Sequence, residues 1–217
     1  GKDGEVIDEG EWIRTTKILP RPVVEIRPHP HGMQFGTLQR MLKNTKERNV
    51  KSFLRKEFEK VSPLVSKKIL EHAEIDEKRR PSGLSVEGIQ NLLSAFMAVK
   101  IQAPPTDCLS PIEDLLIKKG LEKAIDSRYA ATVTRAPTVS QGNPFQVEVG
   151  LVFGGDLPSD GSVEVLRFAN RVPLMYQQGG CLLTKGIESI DWRRYGLEQT
   201  GGKGVPKGPA AVLVHLA

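Results

Sequence analysis

The chain has few cysteines and no long apolar run, and these shortages exclude several classes of protein. Its 217 residues contain two cysteines, Cys108 and Cys181, which lie far apart and have no CxxC or CxH neighbours. Such cysteines form neither a disulfide framework nor a zinc site, so we expect two reduced, partly buried thiols. No apolar run is long enough to cross a bilayer, and the start of the chain has no signal-peptide pattern. We therefore expect an intracellular protein.

Recognisable catalytic patterns are also missing. The four histidines belong to no Ser–His–Asp set and no HExxH motif. His29 and His31 are two residues apart between prolines, but no third ligand accompanies them, so a turn is favoured over a metal site. The carboxylates are spread among lysines at helical spacing, which is typical of a solvated face. We expect no catalytic residue, no metal site and no cofactor-binding residue in this chain.

A glycine- and lysine-rich segment at residues 201–208 invites comparison with a phosphate-binding loop. The segment lacks the GxxxxGK[ST] register, and Pro206 and Pro209 prevent a helix from following it. Without a helix N-terminus the main anion-binding device is missing, so a flexible basic surface loop is favoured over a nucleotide site. The net charge of +5 and the pI of about 9.2 are compatible with a polyanionic ligand and do not require one.

The first half of the chain has helical periodicity. Prolines between residues 20 and 30 favour an extended connector, and residues 36–100 then repeat apolar positions at spacings of three and four. The third helical segment begins beside Pro63, and the fourth begins at Ser85, a good N-cap. These features predict a compact bundle of short helices that ends at a proline-rich break around residues 103–107.

The second half predicts a mixed sheet with helices on one face. The sequence Ser110-Pro-Ile-Glu113 reads as a capping box that starts a helix. Residues 145–153 alternate as a strand with one buried face, and the turn residues 154–161 predict a hairpin with a return strand at 163–168. Further predicted elements are a short strand at 172–176, a helix at 181–190 and a buried strand at 210–217. A strand–helix–strand connection within one sheet predicts a right-handed crossover.

The segment Asp191-Trp-Arg-Arg-Tyr195 concentrates the side chains most suited to nucleic acid. In an extended or turn conformation Arg193 and Tyr195 lie on the same side, where guanidinium forks and a phenol contact phosphates and sugars. Alternatively, Trp192 is a core residue, Tyr195 covers it, and the arginines are merely solvated. The residues alone favour this second interpretation, because tryptophan is well buried on average.

Five strings of the chain resemble the B subunit of type IIB DNA topoisomerases (topoisomerase VI). They occur in the family's order along nearly the whole chain, at residues 27–32, 36–43, 104–111, 165–173 and 189–195. The resemblance implies an α+β protein in which a small all-α helix-two-turn-helix bundle precedes an α/β transducer domain with a mixed sheet. It places a connector or tail of an upstream GHKL ATPase domain at residues 1–30, the helix-two-turn-helix domain at 31–105, and a transducer domain, incomplete at its C-terminus, at 106–217.

The same resemblance implies a function for the chain as part of an ATP-hydrolysing topoisomerase heterotetramer. The B subunit relays ATP-driven dimer closure to the A subunit, which carries the DNA-cleaving tyrosine and magnesium. Expected partners are double-stranded DNA, the A subunit and a second B subunit, at a DNA-associated intracellular location. ATP and Mg²⁺ belong to the full-length enzyme, whereas this chain lacks the family's ATPase motifs and the segment with the nucleotide-contacting lysine. We therefore expect it to be inactive alone.

The resemblance also reverses the interpretation of the aromatic and basic segment. A Trp–basic–X–Tyr motif of the family is assigned to DNA contact, which carries over to Trp192, Arg193 and Tyr195, with Arg194 at the variable position. One alternative is a DNA-binding or structural subunit of a meiotic topoisomerase-like complex without strand passage. Another is a nucleic-acid-binding helix-two-turn-helix module of a different lineage, such as a DNA glycosylase, whose catalytic N-terminal Pro or Glu is not seen here.

Overall fold

The computed structural model describes residues 15–217, which form two compact units. One, here called the helical unit, consists of Pro22–Ser110 and Ala136–Gln146. The other, the sheet unit, contains Pro111–Arg135 and Val147–Ala217. The helices are α1 (Phe35–Asn44), α2 (Val50–Glu57), α3 (Pro63–Ala73), α4 (Val86–Ala98), α5 (Asp114–Ala124) and α6 (Leu182–Glu188). The strands are β1 (Tyr129–Thr134), β2 (Thr138–Ser140), β3 (Asn143–Phe145), β4 (Val147–Phe153), β5 (Glu164–Ala169), β6 (Val172–Pro173) and β7 (Ala210–Leu216).

The helical unit confirms the bundle that the periodicity predicts. The Ser85 hydroxyl accepts a hydrogen bond from the Gly88 N–H at 3.1 Å and caps α4, as expected of a serine at this position. Three phenylalanine rings fill the centre, where Phe58 packs 5.5 Å from Phe53 and 5.3 Å from Phe96 between ring centroids. Residues 15–29 contain no helix or strand, as the prolines there predict. The first 14 residues of the predicted connector lie outside the described part, and its role as a connector stays a prediction.

A short hairpin, β2–β3, joins the helical unit and was not foreseen from the sequence. It interrupts the strand predicted over residues 145–153, because Phe145 pairs with Thr138 while β4 begins at Val147. Its turn lies against the His29 turn, where a Cβ added at Gly142 would stand 2.7 Å from the His29 Nδ1 atom. Gly142 also has φ +74°, so the turn requires glycine for both space and backbone conformation.

The sheet unit confirms a mixed five-stranded sheet, in the order β1-β4-β7-β5-β6. Strands β5 and β7 are parallel and are connected through α6, while the remaining pairs are antiparallel. The predicted hairpin between residues 145–153 and 163–168 is wrong, because β7 lies between these two strands. Six of the seven β7 residues are buried, and Val214 pairs with Val149 on one side and with Arg167 on the other. A strand this apolar is stabilised most at the centre of a sheet.

Helices cover both faces of this sheet, so the prediction of helices on one face is wrong. For the same reason the strand predicted over residues 145–153 does not have a single buried face. Ile117 and Leu121 of α5 pack against Leu213 of β7, whereas Ile187 of α6 packs with its neighbour in β7, Val212. Successive strand residues point to opposite faces, so α5 and α6 lie on opposite sides. Gly150 allows this packing, because a Cβ there would overlap Leu121 and stand 2.9 Å from the Ile117 side chain.

The predicted capping box at residues 110–113 is also wrong. Helix α5 begins only at Asp114, and the preceding Glu113 has a positive φ of 77° and no side-chain cap bond. The carboxylate of Glu148 in β4 accepts hydrogen bonds from the N–H groups of Ile112 and Glu113, each at 2.7 Å. These two bonds hold residues 112–113 outside the helix, so a contact distant in sequence prevails over the local signal.

Candidate functional site

The candidate DNA-contact residues lie in one 3-10 turn, Trp192–Tyr195, between α6 and β7. With three residues per turn, Trp192 and Tyr195 come to the same side, and their ring centroids are 6.1 Å apart in an edge-to-face arrangement. The predicted alternation, with Arg193 and Tyr195 on one side, is wrong because it requires extended backbone. Gly196 ends the turn with φ +79°.

Trp192 anchors this turn in the core of the sheet unit. Its side chain is 9% exposed and belongs to the same apolar cluster as Val212 and Val214. The indole Nε1–H donates to the Ile187 carbonyl oxygen at 2.8 Å, which satisfies its only polar atom. The indole is therefore largely buried, and the interpretation of Trp192 as a core residue holds for the side chain.

Gln199 is a second anchor, and sequence reasoning missed it. Its amide nitrogen donates to the carbonyl oxygens of Ile190 at 3.0 Å and Gly204 at 2.6 Å, and its oxygen accepts from the Trp192 N–H at 3.0 Å. The side chain is 6% exposed, so these bonds fix the backbone on both sides of the turn. A lone glutamine just before a glycine-rich stretch carries no motif that could have predicted this role.

The charged side chains of the turn surround Asp191. Arg193 donates through Nε at 2.8 Å and through an Nη at 3.1 Å to the two Asp191 oxygens, and the Arg194 Nε lies 3.6 Å from the same carboxylate. Hydrogen bonding from Arg193 lowers the pKa of Asp191, so the carboxylate is ionised at neutral pH. Arg194 and Tyr195 are the most exposed residues of the turn. The Arg194 side chain is 80% exposed, and Tyr195 as a whole residue is 71% exposed. The turn therefore offers one net positive charge and a phenol to solvent.

An open apolar groove of about 430 Å³ adjoins the turn within the sheet unit. Tyr129 and Tyr195 are its most exposed residues. Its lining contains no histidine, carboxylate or lysine and is mostly aliphatic and aromatic, so the groove has the chemistry for packing an apolar or aromatic group. The lining residues are Tyr129, Leu151, Phe153, Ile190, Trp192, Tyr195, Leu197 and Ala210.

A polar network centred on a fully buried pair occupies the opposite face of the sheet, beside the start of α5. Glu148 and His215, both 0% exposed, meet at 2.7 Å between Oε2 and Nδ1. The Thr134 hydroxyl donates to the second Glu148 oxygen at 2.7 Å, and the Arg171 N–H donates to His215 Nε2 at 2.9 Å. Because Nε2 accepts, the proton on Nδ1 points to Glu148. The network thus connects β1, β4, β7 and the β5–β6 turn.

Hydrogen bonding outweighs burial at Glu148. Burial alone raises the pKa of this carboxyl, but hydrogen bonds from His215, Thr134 and two backbone N–H groups together bring it below its ordinary value. The carboxylate is therefore ionised, and each of its oxygens accepts two hydrogen bonds. This arrangement is structural, because no part of the pair reaches solvent.

The histidine pair and the glycine-rich segment of the described residues 15–217 have other surroundings than those of a metal or phosphate site. His29 and His31 lie in a proline-bounded turn, where His29 Nδ1 accepts from the His31 N–H at 3.2 Å and His29 Nε2 meets the Gln102 carbonyl oxygen at 2.9 Å. In this part of the chain no three His, Cys, Asp or Glu side chains are grouped to hold a metal ion. The 201–208 segment leads into β7 and not into a helix, so it lacks the helix N-terminus that phosphate-binding loops use. None of the described helices is both long and apolar enough to span a membrane.

Comparisons with known proteins cover nearly the whole chain. Residues 104–217 match the family model described as "Topoisomerase VI B subunit, transducer". The chain is similar to the B subunits of type 2 DNA topoisomerase 6, with 51% identity over 94% of its length to the protein of Methanococcoides burtonii. The corresponding values are 48% over 97% in Methanosarcina barkeri and 42% over 95% in Archaeoglobus fulgidus. The chain spans about a third of the length of these relatives, at 33%, 34% and 34% respectively.

Proposed function

Because the chain belongs to the topoisomerase VI B subunit transducer family, we propose that it is the non-catalytic relay of a type IIB topoisomerase. In this proposal it transmits closure of an ATP-binding domain to the DNA-cleaving A subunit and contacts duplex DNA. ATP and Mg²⁺ bind elsewhere in the full-length enzyme, a second B subunit completes the clamp, and the assembly is associated with DNA. In this proposal the helical unit contains the helix-two-turn-helix module, and the sheet unit forms most of the transducer, whose matched residues 104–217 also include the β2–β3 hairpin.

The packing of the sheet unit supports the relay. Helices on both faces and a buried central strand leave little space for local compression, and close-packed elements transmit displacement instead of absorbing it. The Glu148–His215 network adds hydrogen bonds across three strands and the start of α5. A push on one edge of the sheet would therefore move the unit as one body.

The exposure of Arg194 and Tyr195 on a fixed turn is the observation that carries the DNA contact. Trp192 and Gln199 hold the backbone, so these side chains are presented without a large ordering cost. Guanidinium and phenol groups bind phosphate oxygens irrespective of base sequence. Two nitrogens of the Arg193 guanidinium already donate to Asp191, so we expect the turn to neutralise about one or two phosphates. Each neutralised phosphate should contribute about 0.9 to the magnitude of the slope of log K against log salt.

Duplex binding of the chain, measured by fluorescence anisotropy over a salt series, tests this contact. The variant Arg193→Ala/Arg194→Ala/Tyr195→Phe should bind more weakly, and the slope of log K against log salt should decrease in magnitude by about 1–2. The matched control is Lys118→Gln/Lys119→Gln, which also removes two positive charges but lies on α5, the opposite face of the same unit. Equal slopes for the two variants would contradict DNA contact by the turn and would favour a role of the turn in assembly.

The relay requires a separate test in the full-length B subunit assembled with its A subunit. Glu148→Gln removes a carboxylate that is fully buried and that ties the residues before α5 to the sheet. At a temperature where the variant remains folded, we expect ATP hydrolysis to persist while DNA strand passage falls. Parallel losses of both activities, or retention of both, would count against a relay through this unit.

A further inference from the structure

The apolar groove beside the 191–195 turn holds aromatic rings for which phosphate contact provides no partner. Three of its lining residues, Tyr129, Phe153 and Tyr195, are 58%, 42% and 71% exposed. Large apolar side chains scattered singly over a surface are ordinary, whereas a contiguous group of them marks a binding surface. The aromatic part of the groove therefore requires a ligand group other than phosphate.

The register of the sheet explains the shape of this groove. Tyr129 of β1 pairs with Phe153 of β4, and Phe153 pairs in turn with Ala210 of β7. Directly paired residues of antiparallel strands point to the same face, so these three side chains form one row across the sheet. The small Ala210 leaves space at the inner end of the row, and β1 is the outermost strand, so the row ends in solvent.

Cationic side chains lie next to the aromatic row. Arg194 directly precedes the groove residue Tyr195, and its side chain is 80% exposed. Arg193 packs against the glycine-rich segment, since a Cβ added at Gly202 would stand 2.7 Å from an Nη of this arginine. Lys203, the next residue of that segment, is exposed. None of the described residues that line the groove is acidic, so an apolar and a cationic surface adjoin here.

A polymer of planar rings joined by phosphates matches both surfaces. Aromatic side chains bind nucleobases by stacking, whatever the base, and neighbouring cations bind the phosphates. The groove volume of about 430 Å³ is large enough for one base. In a fully paired duplex the faces of the bases are stacked on one another, so a base reaches the groove only when it is unpaired or turned out of the helix. An apolar peptide would match the groove but would leave the cations unused.

We propose that the groove binds an unpaired base of the bound DNA, stacked on the ring of Tyr129, while Arg194 and Lys203 contact neighbouring phosphates. This inference rests on the DNA contact proposed for the 191–195 turn and adds the class of DNA that the site prefers. Fully paired duplex binds through its phosphates alone, whereas DNA with an unpaired base also gains the stacking interaction. Stacking releases no counterions, so this gain should persist at high salt.

Three DNA duplexes of equal length separate the contribution of the base from that of the backbone. The first is fully paired, the second carries one unpaired adenine, and the third carries an abasic tetrahydrofuran residue at the same unpaired position. By fluorescence anisotropy, the native chain should bind the adenine duplex about fivefold more tightly, or better, than the abasic duplex. Equal binding of these two would overturn the groove proposal. The salt slope of the fully paired duplex is a separate readout, so it shows whether the phosphate contact of the turn holds when the groove proposal fails.

Tyr129→Leu is the decisive variant, because it removes the ring but keeps an apolar side chain at an exposed position of the edge strand. It should abolish the preference for the adenine duplex over the abasic duplex, whereas Tyr129→Phe, which keeps the ring, should retain it. Tyr176→Leu is the matched control and should also retain it, since Tyr176 is likewise 71% exposed in the same unit but lies outside the groove lining. Circular dichroism checks that each variant is folded. A preference that survives in Tyr129→Leu, or that is lost in Tyr129→Phe or Tyr176→Leu, would overturn the proposal.

Discussion

The buried Glu148 carboxylate offers the sharpest test of what stabilises the sheet unit. Its Oε2 accepts from the Ile112 N–H and from His215 Nδ1, and its Oε1 accepts from the Glu113 N–H and the Thr134 hydroxyl. Glu148→Gln keeps the size of the side chain but replaces one acceptor by an NH₂ donor. Each oxygen serves one backbone N–H, so whichever oxygen is replaced, one backbone donor is left facing another donor.

The expected cost follows from these four bonds. A buried backbone N–H without an acceptor costs about 1–3 kcal/mol, and bonds to a neutral amide are weaker by about 1 kcal/mol each than bonds to a carboxylate. The free energy of unfolding of the sheet unit should therefore fall by about 3–5 kcal/mol. Because domains are typically stable by only about 5–15 kcal/mol, this is a large fraction of the total.

Urea unfolding measures this loss, with Trp192 fluorescence reporting on the sheet unit. Glu122→Gln is the matched control, because Glu122 is about half exposed at 49% and only pairs with Lys118 along α5 at 3.8 Å. Breaking such a surface pair should cost less than about 0.5 kcal/mol. Hydrogen exchange should also become faster at the Ile112 and Glu113 amides in Glu148→Gln alone. Equal losses in the two variants would refute the assignment of stability to the network.

The same carboxylate predicts the acid sensitivity of the sheet unit. The pKa of Glu148 is lowered in the folded state, so its contribution to stability is complete above the ordinary value of 4.5 and is lost as pH falls through the lowered folded value. Stability measured from neutral pH downwards should therefore fall below about pH 4.5 in the native chain. Glu148→Gln should lack this part of the acid loss, and an unchanged pH profile would contradict the sign of the shift.

Two further substitutions test the packing described above by urea unfolding and circular dichroism. Gly150→Ala should lower the free energy of unfolding by about 1–3 kcal/mol, because its methyl group would overlap α5 at Leu121. Gly120→Ala within α5 meets no atom within 4 Å and should raise the free energy of unfolding by about 0.5–1 kcal/mol. An equal effect of the two would contradict the close approach of α5. Trp192→Phe should lower the free energy of unfolding by about 1–3 kcal/mol, because it removes the indole hydrogen bond to the Ile187 carbonyl and part of the buried apolar area. A neutral result would mean that the indole bond is not stabilising.

The helical half was predictable because its signals are local. Ser85 and Pro63 mark helix starts by their own chemistry, and the apolar spacing fixes which face of each helix is buried. The bundle follows from these local features with little freedom left. The β2–β3 hairpin could not be foreseen in the same way, because its place depends on contact between Gly142 and the distant His29.

The sheet half was predictable in its elements but not in their arrangement. Sequence distance favoured pairing β4 with β5, yet β7 pairs with both and separates them. Similarly, Glu148 and Gly150 alternate with apolar residues and suggest a solvent face, although both are buried beneath α5. Their burial depends on His215 and Leu121, which the local pattern of β4 does not contain.

The 191–195 segment shows both what local chemistry predicts and what depends on contacts distant in sequence. Residue chemistry alone placed the Trp192 indole in the core, and the resemblance alone suggested DNA contact for its neighbours. The assumption of extended backbone failed because Gln199 and the core contacts of Trp192 fold the segment into a 3-10 turn. The DNA contact stays a prediction, now assigned chiefly to Arg194 and Tyr195 because they are exposed.

The position of β7 has a consequence for biosynthesis. Once residues 129–173 have been translated, the strand pairs β1–β4 and β5–β6 can form, but no hydrogen bonds join one pair to the other. Until residues 210–216 emerge from the ribosome, β4 and β5 each present an unsatisfied edge, which is the surface on which nascent chains aggregate. The nascent sheet should therefore depend on protection by chaperones, and a peptide corresponding to β7, supplied in trans, should rescue a chain truncated before Ala210.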